Sequence, residues 1–178
     1  MKAMRNCAVV LVALLTVVCT SCGTGGTRSE ETPREFLGVR MGDDSAAVVK
    51  ALRKNKIVRL DSIVGGAGWM HFMRKPAGYI LFDDELWEMV SVHLADGKTN
   101  VIRLTNSYPT RQQAEKEYRG AARRLSGRHQ LRMTNQQHED FVIMKCIATT
   151  KQGGVTFALT KGRSVSGNGI YNVVMEYY

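Results

Sequence analysis

The sequence predicts an α+β domain, with two helices packed on a meandering antiparallel sheet. Three observations predict it. Two segments alone carry apolar residues at helical spacing. Most of the remaining chain from residue 57 onward is alternating apolar and polar runs with turn residues between them. The order is helix, strands, helix, strands, which segregates helices from a sheet rather than winding βαβ units. The chain has 178 residues, 44% of them hydrophobic and only three proline, so it is neither disordered nor fibrous.

The chain opens with an extended entry over 36–42. Asp43, Asp44 and Ser45 supply N-cap chemistry for the first helix. Val48, Val49 and Leu52 give it an apolar face, and Asn55 is placed to stop it. Strands are then predicted at about 57–63, 69–74, 79–83, 86–94 and 99–106, broken at Gly65–Gly68, Pro76–Gly78, Asp83-Asp84 and Ala95–Lys98. Asp96-Gly97 is a two-residue hairpin turn, since both positions accept positive φ. In 86–94, alternation puts Leu86, Val90, Val92 and Leu94 on one face and Trp87, Met89, Ser91 and His93 on the other. Thr110 and Gln113 form a capping box for the second helix. Its stripe is Ala114, Tyr118, Ala121 and Leu125, and Gly127 is placed to end it. Strands at about 141–150, 154–161 and 170–177 complete the chain. The halves 36–107 and 108–178 are compatible with one αβββ unit used twice, without a residue-level repeat.

The N-terminus sets an address. Lys2 and Arg5 precede an apolar run from Ala8 to Val18, interrupted only by Thr16. Those 11 residues are too few for a bilayer, which takes about 20. A basic head before a short apolar run is an export signal. It ends in Ser21-Cys22-Gly23, and this arrangement resembles a bacterial lipoprotein signal, although Cys19 stands where that family usually has leucine. The resemblance implies cleavage before Cys22 and its lipidation. Residues 1–21 are then signal, 22–35 a flexible tether rich in Gly and Thr, and 36–178 one domain. Processing removes Lys2 and Arg5, leaving 23 basic against 16 acidic side chains, a net charge of +7. Only Cys22 and Cys146 survive, so a lipidated Cys22 leaves Cys146 without a disulfide partner.

Four constellations invite chemistry. Cys146 lies in an apolar row with Val142, Met144 and Ala148, which reads as a small core residue rather than a nucleophile. Trp69, His71 and Met73 alternate on one strand, and Trp87, Met89 and His93 on another, a set soft enough for Cu(I). In a simple meander the 79–83 strand separates them by about 9–10 Å, too far for shared ligation. The row reads first as packing under a helix or loop, and second as a contact surface with Trp69 and Trp87 its anchors. Asp83, Asp84, Glu85 and Glu88 surround a turn and read as solvated turn residues rather than a glycosidase pair. Ser164 and Ser166 lack nucleophile-elbow spacing.

The fourth constellation is basic. Residues 111–132 hold seven Arg and Lys against Glu115 and Glu117. Lys116, Arg119 and Arg123 fall on one flank of the second helix, and Arg124 and Arg128 on the other. These flanks read first as a solvated helix face; an export signal disfavours nucleic acid, so anionic lipid or an acidic envelope protein is the alternative.

Behind the lipoprotein signal, Gly42 and the Val48/Leu52 helix are similar to the opening helix of small envelope lipoproteins of the BamE-like and β-lactamase-inhibitor-protein-like kind. This resemblance implies a binding or assembly role and supplies no catalytic residue. The expectation is a lipid-anchored envelope protein, periplasmic rather than surface-exposed. It is a binder and not an enzyme, with no cofactor and no metal. A small hydrolase or a purely structural envelope protein are the alternatives. A sheet face left open favours binding; a cleft with convergent His, Cys or carboxylate groups favours an enzyme.

Overall fold

The computed structural model describes residues 35–60, 66–133, 141–150, 153–163 and 169–178. The export signal, Cys22, the tether, His138, Ser164 and Ser166 lie outside the described residues. The described chain starts with a small hairpin, β1 (Glu35–Phe36) and β2 (Val39–Arg40), turned by Leu37 and Gly38 at positive φ. Helix α1 (Ser45–Lys54) follows, capped by the Asp44 carboxylate, which accepts from the Ala47 amide at 2.9 Å. Val48 and Leu52 are its buried residues, and Arg53 and Lys54 sit in the last turn, where cations suit the helix dipole.

Next come β3 (Ile57–Arg59), β4 (Trp69–Arg74), β5 (Ile80–Phe82), β6 (Glu85–Trp87), β7 (Met89–Ala95) and β8 (Lys98–Tyr108). Helix α2 (Arg111–His129) leads to β9 (Arg132–Met133), β10 (Val142–Thr150), β11 (Gly153–Arg163) and β12 (Gly169–Tyr177). Thr110 caps α2 through the Gln113 amide, as the capping box predicts. The buried stripe is the expected Ala114, Tyr118, Ala121 and Leu125. Gly127 does not end the helix; Gln130 does, in the left-handed region.

Eight strands form one antiparallel sheet in the order β3-β4-β7-β8-β12-β11-β10-β9. The fold is thus α+β with two helices, as the periodicity predicts. Each half supplies a helix and four strands of this sheet, α1-β3-β4-β7-β8 and α2-β9-β10-β11-β12, and the last strands of the two halves pair at the centre. The predicted unit of three strands is one strand short in each half.

Two expectations fail here. The 79–83 strand does not lie between its neighbours in sequence. β5 pairs with β6 as a separate hairpin, and β4 pairs directly with β7. The 86–94 run is also not one strand. It breaks at Glu88, whose amide donates to Asn106 Oδ1 at 2.8 Å and whose carboxylate accepts from the Ser107 amide at 3.0 Å. A one-residue break reverses which side chains face the core. Trp87 is therefore 1% exposed and Leu86 53% exposed, the reverse of what the alternation predicts relative to Val90 and Val92.

One buried cluster joins both helices to the sheet. Across the strands it includes the register row Phe72–Val90–Leu104–Met175–Phe157–Cys146. Tyr118 of α2 stacks on Phe157 with ring centroids 4.8 Å apart.

Candidate binding face

Alternation sends the intervening residues of every strand to the opposite side of the sheet. There the register aligns His71–Ser91–Arg103–Glu176–Thr156–Ile147 in one row. A second row is Met73–Met89–Thr105–Val174–Ala158–Lys145, and a shorter one is Trp69–His93–Val101. None of the described helices or hairpins packs on these rows, and the buried cluster includes none of their side chains. Small residues are sunk between larger ones, so Ser91, Thr105, Thr156 and Ala158 are buried while Trp69, Met89, Arg103 and Ile147 stand above them.

The centre of this face is held by polar contacts. The Arg103 guanidinium carbon sits 4.2 Å from the Trp69 ring centroid, and Arg103 Nε donates to Glu176 at 2.5 Å. Trp69 also leans on His93, with centroids 4.9 Å apart. His71 Nδ1 lies 2.8 Å from the Ser91 hydroxyl, while its buried Nε2 has no partner among the described residues. Burial, and then the nearby charge of Arg103, hold the His71 ring below its usual pKa.

Of the five residues singled out for binding, only Trp69 belongs to this face. Trp87 does not, because the break at Glu88 turns it into the core, where its indole donates to the Phe82 carbonyl at 3.3 Å. Lys116, Arg119 and Arg123 are exposed on α2, in the helix layer on the other side of the sheet. Sequence reasoning missed Arg103 and Glu176. Both occupy polar positions in alternating strands, but only the β8–β12 register brings them together.

The same register corrects the argument from distance against a metal. His71, Met73, Met89 and His93 are on neighbouring strands and one face, not about 9–10 Å apart. A cation there would meet Arg103, and the unpaired nitrogen of His71 is closed off. Among the described residues, no three His, Cys, Asp or Glu side chains are grouped as metal ligands.

The remaining reactive groups are engaged elsewhere. Ser91 is 1% exposed, so its hydroxyl beside His71 is closed to a substrate. Cys146 is 3% exposed, with its sulfur 3.0 Å from the Tyr118 hydroxyl. Of the carboxylates at the β5–β6 turn, Asp84 is solvated as the sequence suggests, while Asp83 and Glu85 are largely withdrawn from solvent. Asp83 receives Arg128 at 2.6 Å, His129, and the Tyr177 hydroxyl at 3.3 Å; Asp84 also pairs with Arg128, and Glu85 with Arg124. Burial alone pushes the Asp83 carboxyl up, but hydrogen bonds and charge from His129 and Arg128 bring it below its ordinary range. Burial, and then the Asp83 charge, push the Tyr177 phenol up. This clasp neutralises the Arg124/Arg128 flank of α2 and leaves Lys116, Arg119 and Arg123 outside it.

No protein-family model, no curated protein and no solved structure matches the chain.

Proposed function

We propose that this chain is a lipid-anchored envelope protein that binds a protein partner through the open face of its sheet, without catalysis. The observation that carries this reading is the sheet face that none of the described helices or hairpins covers. It spans six strands, with an aromatic–cation pair at one end and the aliphatic residues Val174 and Ile147 further across. Trp, Arg and Met are favoured contact residues, and an Arg stacked on a Trp offers a flat, preordered anchor. The buried settings of Ser91 and Cys146 argue against either as a nucleophile. The lipid anchor rests on the Ser21-Cys22-Gly23 signal and sets the compartment in which the partner is met.

Two measurements test the two parts. Replacing Cys22 by Ala should move the protein from the membrane to the soluble fraction, and an intact mass showing no acyl chain on Cys22 would sink the anchor. A photo-crosslinking residue at Met89 or Val174, in cells, should capture one discrete partner, and Trp69→Ala or Arg103→Glu should abolish the adduct. Capture of the same protein from Gln112 on α2, or no adduct from the sheet face, would overturn the binding assignment.

A further inference from the structure

A groove of about 570 Å³ runs along the outer side of α1. Ala46 and Val49 contribute apolar surface to it, and Lys50, Arg53, Lys54 and Arg59 line it with cationic side chains. Lys50, Arg53 and Lys54 are exposed, and none of the three forms an ion pair with a carboxylate among the described residues. Apolar surface beside long cationic side chains matches an amphiphile with an anionic head, because the stems can lie along apolar groups while the charges meet the head.

The position of the groove selects the source of that anion. The described chain begins at Glu35, and Glu35 is paired with Arg40 in the small hairpin. The turn of that hairpin rests on α1: Asn55 Nδ2 donates to the Leu37 carbonyl at 3.1 Å, and a Cβ built on Gly38 would meet Ala51 at 3.5 Å. The chain therefore enters the fold at the C-terminal half of α1, on the flank of Ala51 and Asn55. Twelve residues lie between Cys22 and Glu35, a length of chain that reaches at most about 45 Å. Helix α1 is only about 15 Å long, so its whole length falls within reach of the anchoring surface.

We infer that the α1 groove is the membrane-contacting surface and takes the headgroups of anionic phospholipids, which turns the open sheet face away from the bilayer. The inference rests on the lipid anchor proposed above. Both helices join the same buried cluster, so the helix layer and the open sheet face are opposite sides of the molecule. Anchor, groove and binding face then form a sequence outward from the membrane. The basic flank of α2 belongs to the other half of the fold.

The test uses residues 22–178 carrying Cys22→Ala, which contain every described element and the whole buried cluster. Co-sedimentation is measured with phosphatidylcholine vesicles, with and without phosphatidylglycerol. The protein should sediment with the anionic vesicles only, and raised salt should release it. The triple variant Lys50→Glu/Arg53→Glu/Lys54→Glu should bind at least about tenfold more weakly, since each cation near an anionic surface contributes roughly fivefold. The triple variant Lys116→Glu/Arg119→Glu/Arg123→Glu should lose less than about threefold. Circular dichroism verifies the fold, and Gln at the same α1 positions gives a milder second variant that should fall between wild type and the Glu triple. Absent wild-type binding at low salt, unchanged binding by the α1 variants, or an equal loss from the α2 triple would each overturn the inference. All of these outcomes are read without lipid on the chain. An unacylated Cys22 in cells would therefore refute the anchor while leaving the vesicle result as measured.

Discussion

Trp69 and Trp87 are the only two tryptophans, and they now have opposite roles. Trp87 is sealed in the core and hydrogen-bonded, so Trp87→Ala removes a large buried side chain and should cost about 3–5 kcal/mol in urea unfolding. Trp69 is half-buried on the open face, where Trp69→Ala should cost about 1 kcal/mol or less while abolishing partner capture. Equal destabilisation by the two would mean that the open face is packed in solution. Cys146 follows the same logic of local partners. Read as a residue in an apolar row, it would make Cys146→Ser expensive, because the new hydroxyl would be stranded. The Tyr118 hydroxyl 3.0 Å away offers a partner, so the cost should shrink to about 1 kcal/mol or less. Thiol reagents should label Cys146 only as the protein unfolds; rapid labelling of the native state would contradict its burial.

At the scale of elements, the β5–β6 hairpin stands outside the main sheet and is clasped to α2 by side chains. Asp83 and Asp84 both have positive φ, which makes the tight turn and aims both carboxylates at Arg128. Asp83→Asn should therefore lower stability at neutral pH. The pH dependence has a definite sign. Asp83 is held below its ordinary value in the fold, so its contribution is complete above the unfolded value of about 3.9 and is lost as pH falls through the lower native value. His71 is also lowered, by burial first, so the unfolded chain takes up a proton before the folded one does. Stability should then start to fall as pH drops through about 6.5 and continue down to the native value. Urea midpoints against pH should show both steps, with His71→Gln removing the upper and Asp83→Asn the lower; a profile unchanged by either substitution would refute the assignment. Neither the clasp nor the His71 site was legible in the sequence. Periodicity and caps locate α1, α2 and the Asp96-Gly97 hairpin because those signals are local. The break at Glu88 depends on Asn106 and Ser107, and Asp83 meets Arg128 and His129 from 45 and 46 residues away. Such contacts exist only once the strand order is set, and the sequence alone leaves that order open.

For the whole molecule, the two αββββ halves meet along β8 and β12, in register from Tyr171 opposite Tyr108 to Tyr177 opposite Ile102. The seam is more than backbone pairing. Arg103–Glu176 crosses it on the open face. On the helix side the β5–β6 hairpin of the first half grips the second: Phe82 packs edge-on against Tyr177 at 5.5 Å, and Asp83 accepts from the Tyr177 hydroxyl. The buried cluster runs through both halves without a gap in the register, from Phe72 to Cys146. Separating them would expose Leu104 and Met175 together with the Tyr177 contacts, so neither half retains a closed core. Unfolding should therefore be a single cooperative transition rather than two. The chain supplies its own reporters. Both tryptophans lie in the first half, and with Cys22→Ala in residues 22–178 the sole thiol is Cys146 in the second. Urea unfolding followed by tryptophan fluorescence and by thiol accessibility should give one midpoint, shared by both probes. Tyr177→Phe should shift the two curves together, because the group it alters belongs to both halves. Two separated midpoints would show that the seam is an interface between independent units, and the open face would then be two surfaces rather than one.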